Sequence, residues 1–177
     1  MIKSINVKMD VIESMLYFWQ ATNDKEKVGE NYIYSIADRE EMASLYNDEF
    51  DRESVRLVLS AISNREILNT KNKKERKFWN NNMWMMEDLD YTDMMIKPLK
   101  VLNLDDAIEG LSGIETEYET LEVYFIPGVH EEYQIVDNKV FINFFRVKPD
   151  LYVDDKVTVG ETLLKDYVVE KLEEAIK

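Results

Sequence analysis

The feature that most limits how this chain can fold is a change in the spacing of its apolar residues near Gly113. Before it, apolar side chains recur every three or four positions, the period of an amphipathic helix; after it they alternate, the period of a strand. Near the C-terminus Leu164, Val168, Leu172 and Ile176 restore the helical spacing. Helix, then strand, then helix is the order of an α+β protein. The expectation is a mostly helical N-terminal body, an antiparallel meander of three to five strands, and a C-terminal helix. A chain of 177 residues can bury one real core. It is read as a single domain over residues 1–177, mainly helical over residues 1–111, with the meander and last helix over residues 112–177. No internal repeat or linker divides it.

The helical body reads in order. Asp10 suits the N-cap of a helix to about Thr22, with Val11, Ile12, Met15, Phe18 and Trp19 as its apolar face. A second helix is expected from about Glu26 to Tyr46, with Gly29 weakening its first turn. Asp51 caps a third, Arg52 to about Asn69, the cleanest amphipathic pattern here. Asn80-Asn81-Asn82 is expected to interrupt the next helix, and Pro98 to end any helix at or before Lys97. Leu99 to Leu102 reads as a short strand, and Asn103 as the cap of a helix over 104–111 closed by Ser112-Gly113.

From Ile114 to Ile126 the alternation predicts one strand, followed by Pro127-Gly128, the signal of a type II turn. Tyr133–Val136 and Lys139–Val147 are expected to pair around Asp137-Asn138, whose side chains suit a tight hairpin turn. A smaller hairpin is expected to pair Leu151–Val153 with Lys156–Val159 over Asp154-Asp155, and Gly160 precedes a final helix from Glu161 to Ile176.

Charge is distributed unevenly. Residues 101–138 hold ten carboxylates and no Lys or Arg, while elsewhere 26 acids face 22 bases. If Ile114–Ile126 is one strand, Glu115, Glu117 and Glu119 project from one face about 7 Å apart. Such a row needs something positive opposite it. The candidates are Arg146 and Lys148 or the Lys71–Lys77 run, a basic partner protein, or a hard cation shared with Asp105 and Asp106. The Lys71–Lys77 run beside Phe78-Trp79 also has the ingredients of a single-strand nucleic-acid site. A solvated helix face explains it more simply. A net charge of −14 argues against nucleic acid as the main partner and against anionic membranes.

Several chemistries are absent. There is no cysteine, which removes disulfides, thiolate zinc sites and a cysteine nucleophile. There is no P-loop, G-x-G-x-x-G or G-x-S-x-G motif, and His130 is the only histidine. Asp88, Asp90, Thr92 and Asp93 resemble the start of a calcium loop, but Asp93 stands where glycine is needed and Leu99 where glutamate is needed. No cofactor or metal is expected. Met1 to Asp10 has no apolar signal-peptide core, and no apolar run approaches the ~20 residues of a membrane span. A soluble cytoplasmic protein follows as the expectation, and the Asn/Lys/Ile-rich text suits a low-GC bacterial or phage-like genome.

Three functions compete. The first is a non-enzymatic acidic interaction protein of inhibitor, immunity or nucleic-acid-mimic type, engaging a basic partner through Glu115, Glu117, Glu119, Glu122, Glu131 and Glu132. The second is a small-molecule-binding protein or a carboxylate- or metal-dependent enzyme with a pocket between sheet and helices, lined by Trp84, Tyr118, Tyr124 and His130. The third is a structural homo-oligomer using an exposed apolar patch around Met83–Met86 as its interface.

Overall fold

The structure, a computed structural model, describes residues 1–154 and 156–177. It is an α+β fold: N-terminal helices, then strands, then a C-terminal helix. Ahead of the first helix lies a strand the periodicity did not mark, β1 (Ser4–Lys8). It leads through buried Met9 into α1 (Asp10–Asn23), so Asp10 is the first helical residue and not the cap. Its carboxylate still faces the positive helix end.

The second expected helix divides in two: α2 (Glu30–Ala37), starting after Gly29, and a 3₁₀ turn over Glu40–Leu45. Helix α3 (Arg52–Asn64) has the expected Asp51 cap, with Ser54 closing a capping box. It ends five residues before the expected Asn69, where Arg65 turns left-handed (φ 56°). Helix α4 (Lys73–Glu87) runs straight through Asn80-Asn81-Asn82. Tertiary hydrogen bonds override the weak helix preference of asparagine. The Asn82 side chain accepts from Trp19 Nε1 at 2.9 Å and donates to the Phe78 carbonyl at 2.8 Å. Helix α5 (Leu89–Lys100) likewise contains Pro98 and absorbs half of the expected Leu99–Leu102 strand. Asn103 accepts from the Asp105 amide at 2.8 Å at the start of α6 (Asp105–Ser112).

The sheet holds the larger correction. Strands β2 (Thr120–Ile126), β3 (Tyr133–Val136) and β4 (Lys139–Asn143) join β1 in the order β1-β2-β4-β3. β1 and β4 both lie parallel to β2, and only β3–β4 is an antiparallel hairpin, so this sheet is mixed and not a meander. Burial explains the order. Val140 to Asn143 are all buried and belong mid-sheet, whereas β3 is half-exposed and takes the edge. The expected long strand also starts six residues late. Lys3 and Ser4 donate to the Glu119 carbonyl, and upstream of that point β1 offers no partner to 114–119. Pro127-Gly128 is no type II turn, since Gly128 lacks the positive φ such a turn requires.

A second, antiparallel sheet follows: β5 (Val147–Pro149), β6 (Val157–Val159) and β7 (Thr162–Leu163). The smaller hairpin therefore pairs 147–149, not 151–153, with 157–159. Its expected turn includes Asp155, which lies outside the described residues. Gly160 is left-handed (φ 62°), and α7 (Leu164–Ile176) buries its spaced-by-four face against the strands. Trp19 sits at the centre of the core, fully buried and stacked 5.8 Å from Phe144.

Candidate functional site

The six glutamates separate into two groups. Glu115, Glu117, Glu119 and Glu131 are exposed, whereas Glu122 and Glu132 are half-buried. Glu122 is engaged internally, accepting from the Tyr124 hydroxyl at 2.7 Å. That phenol is pushed well above its ordinary value, first by burial and then by Glu122. Of the expected internal counter-charges, neither Arg146 nor the Lys71–Lys77 run reaches the exposed glutamates. Arg146 bonds the His130 carbonyl and Lys74 approaches Glu49. Among the described residues the base that pairs with these exposed glutamates is Lys3, 3.1 Å from Glu119, with both side chains mostly exposed. A pair so exposed contributes less than about 1 kcal/mol.

The acidic stretch starts beside the free edge of the four-stranded sheet and returns through residues 113–119 to the foot of β1, where the Glu119 carbonyl accepts from Lys3 and Ser4. β1 has a neighbour only on the β2 side, and α6 packs beside it. Along that edge runs an open groove of about 860 Å³, lined by Ile5–Asp10 and Glu13 on one side and Leu99–Asp105 on the other. Asp105, Asp106 and Glu109 on α6 are exposed, as are Asp10 and Glu13 on α1. Asp106 pairs with Lys165 at 2.7 Å, a hydrogen bond that lowers its pKa, and Asp10 lies 3.6 Å from Arg39. Lys8 and Lys100 are the bases at the groove itself. The periodicity passed over this edge, although Ile2, Ile5 and Val7 hint at a strand between polar neighbours.

The four pocket residues do not converge. Trp84, two-thirds exposed, lines an apolar cleft of about 320 Å³ with Asn81, Met85, Asp88, Tyr91 and Phe145. His130 is exposed beside a small cavity shared with Leu45, Asn47, Phe50, Lys74, Val129 and Glu131. Tyr124 stacks on Phe141 at 5.0 Å. Tyr118 lies half-buried within the 114–119 segment, its amide bonded to Thr116 Oγ1 at 3.2 Å.

No family model, curated protein or solved structure matches this chain. Its function has to be read from the surface itself.

A polar cluster also gathers on α7. Lys171 lies 4.2 Å from the Tyr133 ring centroid and 5.1 Å from that of Tyr167, between Glu170 and Glu174. The Tyr167 hydroxyl is buried and has no hydrogen-bond partner among the described residues, and burial, followed by nearby Glu132, raises its pKa. Tyr133 donates to Glu174 at 2.9 Å. Apart from the Tyr167 hydroxyl, these groups are spent on one another. Among the described residues no cluster of three His, Asp or Glu side chains is disposed to hold a metal ion, and no helix is long and apolar enough to cross a membrane.

Proposed function

We propose that this protein is a non-enzymatic interaction module that takes an extended, Lys- or Arg-bearing segment of a partner protein along the free edge of β1. The observation that carries the reading is the coincidence of an unpaired sheet edge with a groove beside it that is lined by the exposed acids Asp10, Glu13 and Asp105; the exposed acids of residues 106–119 follow on α6, which packs on β1, and on the connection from α6 to β2. An open edge supplies main-chain donors and acceptors that an incoming strand satisfies, which gives affinity without demanding a particular sequence. The acids then select. A basic segment is drawn in by the field of a chain carrying −14 charges, and an acidic one is repelled. Glu115 and Glu117 have no salt-bridge partner among the described residues, so they are free to meet such a segment. Glu131, on the far side of β4, is a less direct contributor.

The test uses a ten-residue peptide alternating lysine and threonine, with its glutamate-for-lysine counterpart as control, titrated calorimetrically at low and high salt. The lysine peptide is expected to bind and the glutamate peptide not. Affinity should fall about tenfold in the triple variant Glu115→Gln, Glu117→Gln, Glu119→Gln, as loss of about 1.4 kcal/mol implies. Hydrogen exchange should slow at the β1 amides when peptide is bound. Equal binding of both peptides, or unchanged exchange at β1, would overturn the reading. A concentration-dependent dimer protected at β1 would show that a second copy of this chain occupies the edge instead.

A further inference from the structure

Beyond that reading, and independent of it, we infer that the cleft between α4, α5 and Phe145 is a binding site for an organic cation, an alkylated ammonium or a guanidinium group. Its walls are Trp84, Tyr91, Phe145 and Met85, and its polar groups are Asn81 and Asp88. Each of these offers a cation something, and none carries positive charge. Aromatic faces attract cations through their quadrupoles, Trp most strongly. Asp88 supplies the formal charge. One of its oxygens caps α5, accepting from the Tyr91 amide at 3.0 Å, and the other accepts no hydrogen bond among the described residues. Asn81 is 8 % exposed and spends its amide nitrogen on the Gly128 and Val129 carbonyls, 3.3 Å from each. Its carbonyl oxygen has no donor among the described residues, so an unused acceptor is left at the cleft. No Lys or Arg lines the cleft, and the cation–π pairs among the described residues lie elsewhere, at Tyr34, Tyr133 and Tyr167.

The cleft is also built before any ligand arrives. Phe145 is braced by Trp19 at 6.1 Å and Phe144 at 5.9 Å, and its amide is held by Asn143 at 3.0 Å. Met85 and Tyr91 are tied through the α4–α5 junction, where Thr92 Oγ1 donates to the Met85 carbonyl at 2.9 Å. Trp84, two-thirds exposed, is the wall with room to close over a guest. A volume of about 320 Å³ fits a small headgroup rather than a cofactor. The cation's source is either a free amine or the side chain of a modified or plain basic residue on another protein; the chemistry of recognition is the same.

The experiment follows the indole N–H resonance of Trp84 while choline is added. 3,3-Dimethylbutan-1-ol, the neutral isostere of choline, is titrated in parallel. Choline is expected to shift the signal saturably, with the isostere binding about tenfold more weakly. Asp88→Asn keeps the α5 cap but removes the charge, and should weaken choline several-fold without moving the isostere. Trp84→Ala should abolish both, and its exposed position leaves the fold intact. Equal affinity for choline and the isostere, or no saturable shift at millimolar choline, would overturn the proposal. Gly-Lys-Gly, plain and trimethylated, identifies the source: tighter binding than choline assigns the site to a side chain, weaker binding to a free amine. Because none of these variants touches residues 105–119, failure here leaves the acidic-edge reading standing, and the converse holds too.

Discussion

Gly128 occupies the tightest position for a new side chain among the glycines of this chain. A Cβ there would lie 2.5 Å from Cγ of Asn143, inside any tolerable contact. The neighbour cannot swing away cheaply, because Asn143 is buried and its amide makes three hydrogen bonds. Its oxygen accepts from Gly128 and Phe145, and its nitrogen donates to the Glu131 carbonyl at 3.0 Å. Asn81 holds the Gly128 carbonyl from the opposite side. Gly128→Ala is therefore expected to destabilise the fold by about 2–4 kcal/mol, combining overpacking with broken buried hydrogen bonds. Urea denaturation reads this directly as a lower midpoint. A change within about 0.5 kcal/mol would mean that the 127–132 connection relaxes freely, contrary to the bonding just described. The requirement for glycine here comes from crowding and not from φ, which is why a turn motif read from the sequence named the right residue for the wrong reason.

At the scale of elements, the same contrast recurs at Pro98. The rule that proline ends a helix placed a boundary at Lys97, yet α5 continues to Lys100. Proline removes one backbone bond, to the Met94 carbonyl, and crowds that turn. Against it stand Met95, Ile96 and Leu99, each about 1 % exposed and anchored in the core. Their burial outweighs the local penalty. Pro98→Ala should accordingly stabilise the protein by about 1–3 kcal/mol, the smaller end if the last turn already frays. Differential scanning calorimetry would show a higher melting temperature, and a fall would mean that proline's rigidity in the unfolded chain matters more than the lost bond. Local pattern revealed those elements whose own residues decide them: α3 with its Asp51 cap, the β3–β4 hairpin over Asp137, and the spaced-by-four face of α7. It failed where a distant partner decides. Asn82 is helical because Trp19 needs its carbonyl, and β1 is a strand because β2 lies beside it. Residues 114–119 stay irregular because β1 begins at Ser4 and gives them no ladder, although their alternation is as clear as that of β2 itself.

The whole molecule adds what no single element shows, namely where the charge sits relative to the sheet edge. The base-free stretch was legible as composition, but its return to the foot of β1 depends on a parallel pairing between residues more than a hundred positions apart. The aromatic cleft was less legible still: Trp84 stood out, while Phe145 and Tyr91 reach it from other segments of the chain. Carrying −14 charges in one compact body has a thermodynamic consequence. Like charges repel at distances comparable with the Debye length, about 10 Å at 0.1 M salt, so added salt relieves the folded state more than the expanded one. The melting temperature should therefore rise by a few degrees between low and moderate sodium chloride. The Glu115→Gln, Glu117→Gln, Glu119→Gln variant should start higher and rise less, since the pairing it sacrifices, Lys3 with Glu119, is exposed and weak. Binding of a basic segment must move the other way, weakening as salt is added, because the same acids that strain the free protein attract the partner. Thermal melts and peptide titrations on one salt series would thus diverge. If the wild-type melting temperature fell with salt instead, the acids would be stabilising the fold through ion pairs, and a docking role for them would lose its physical basis.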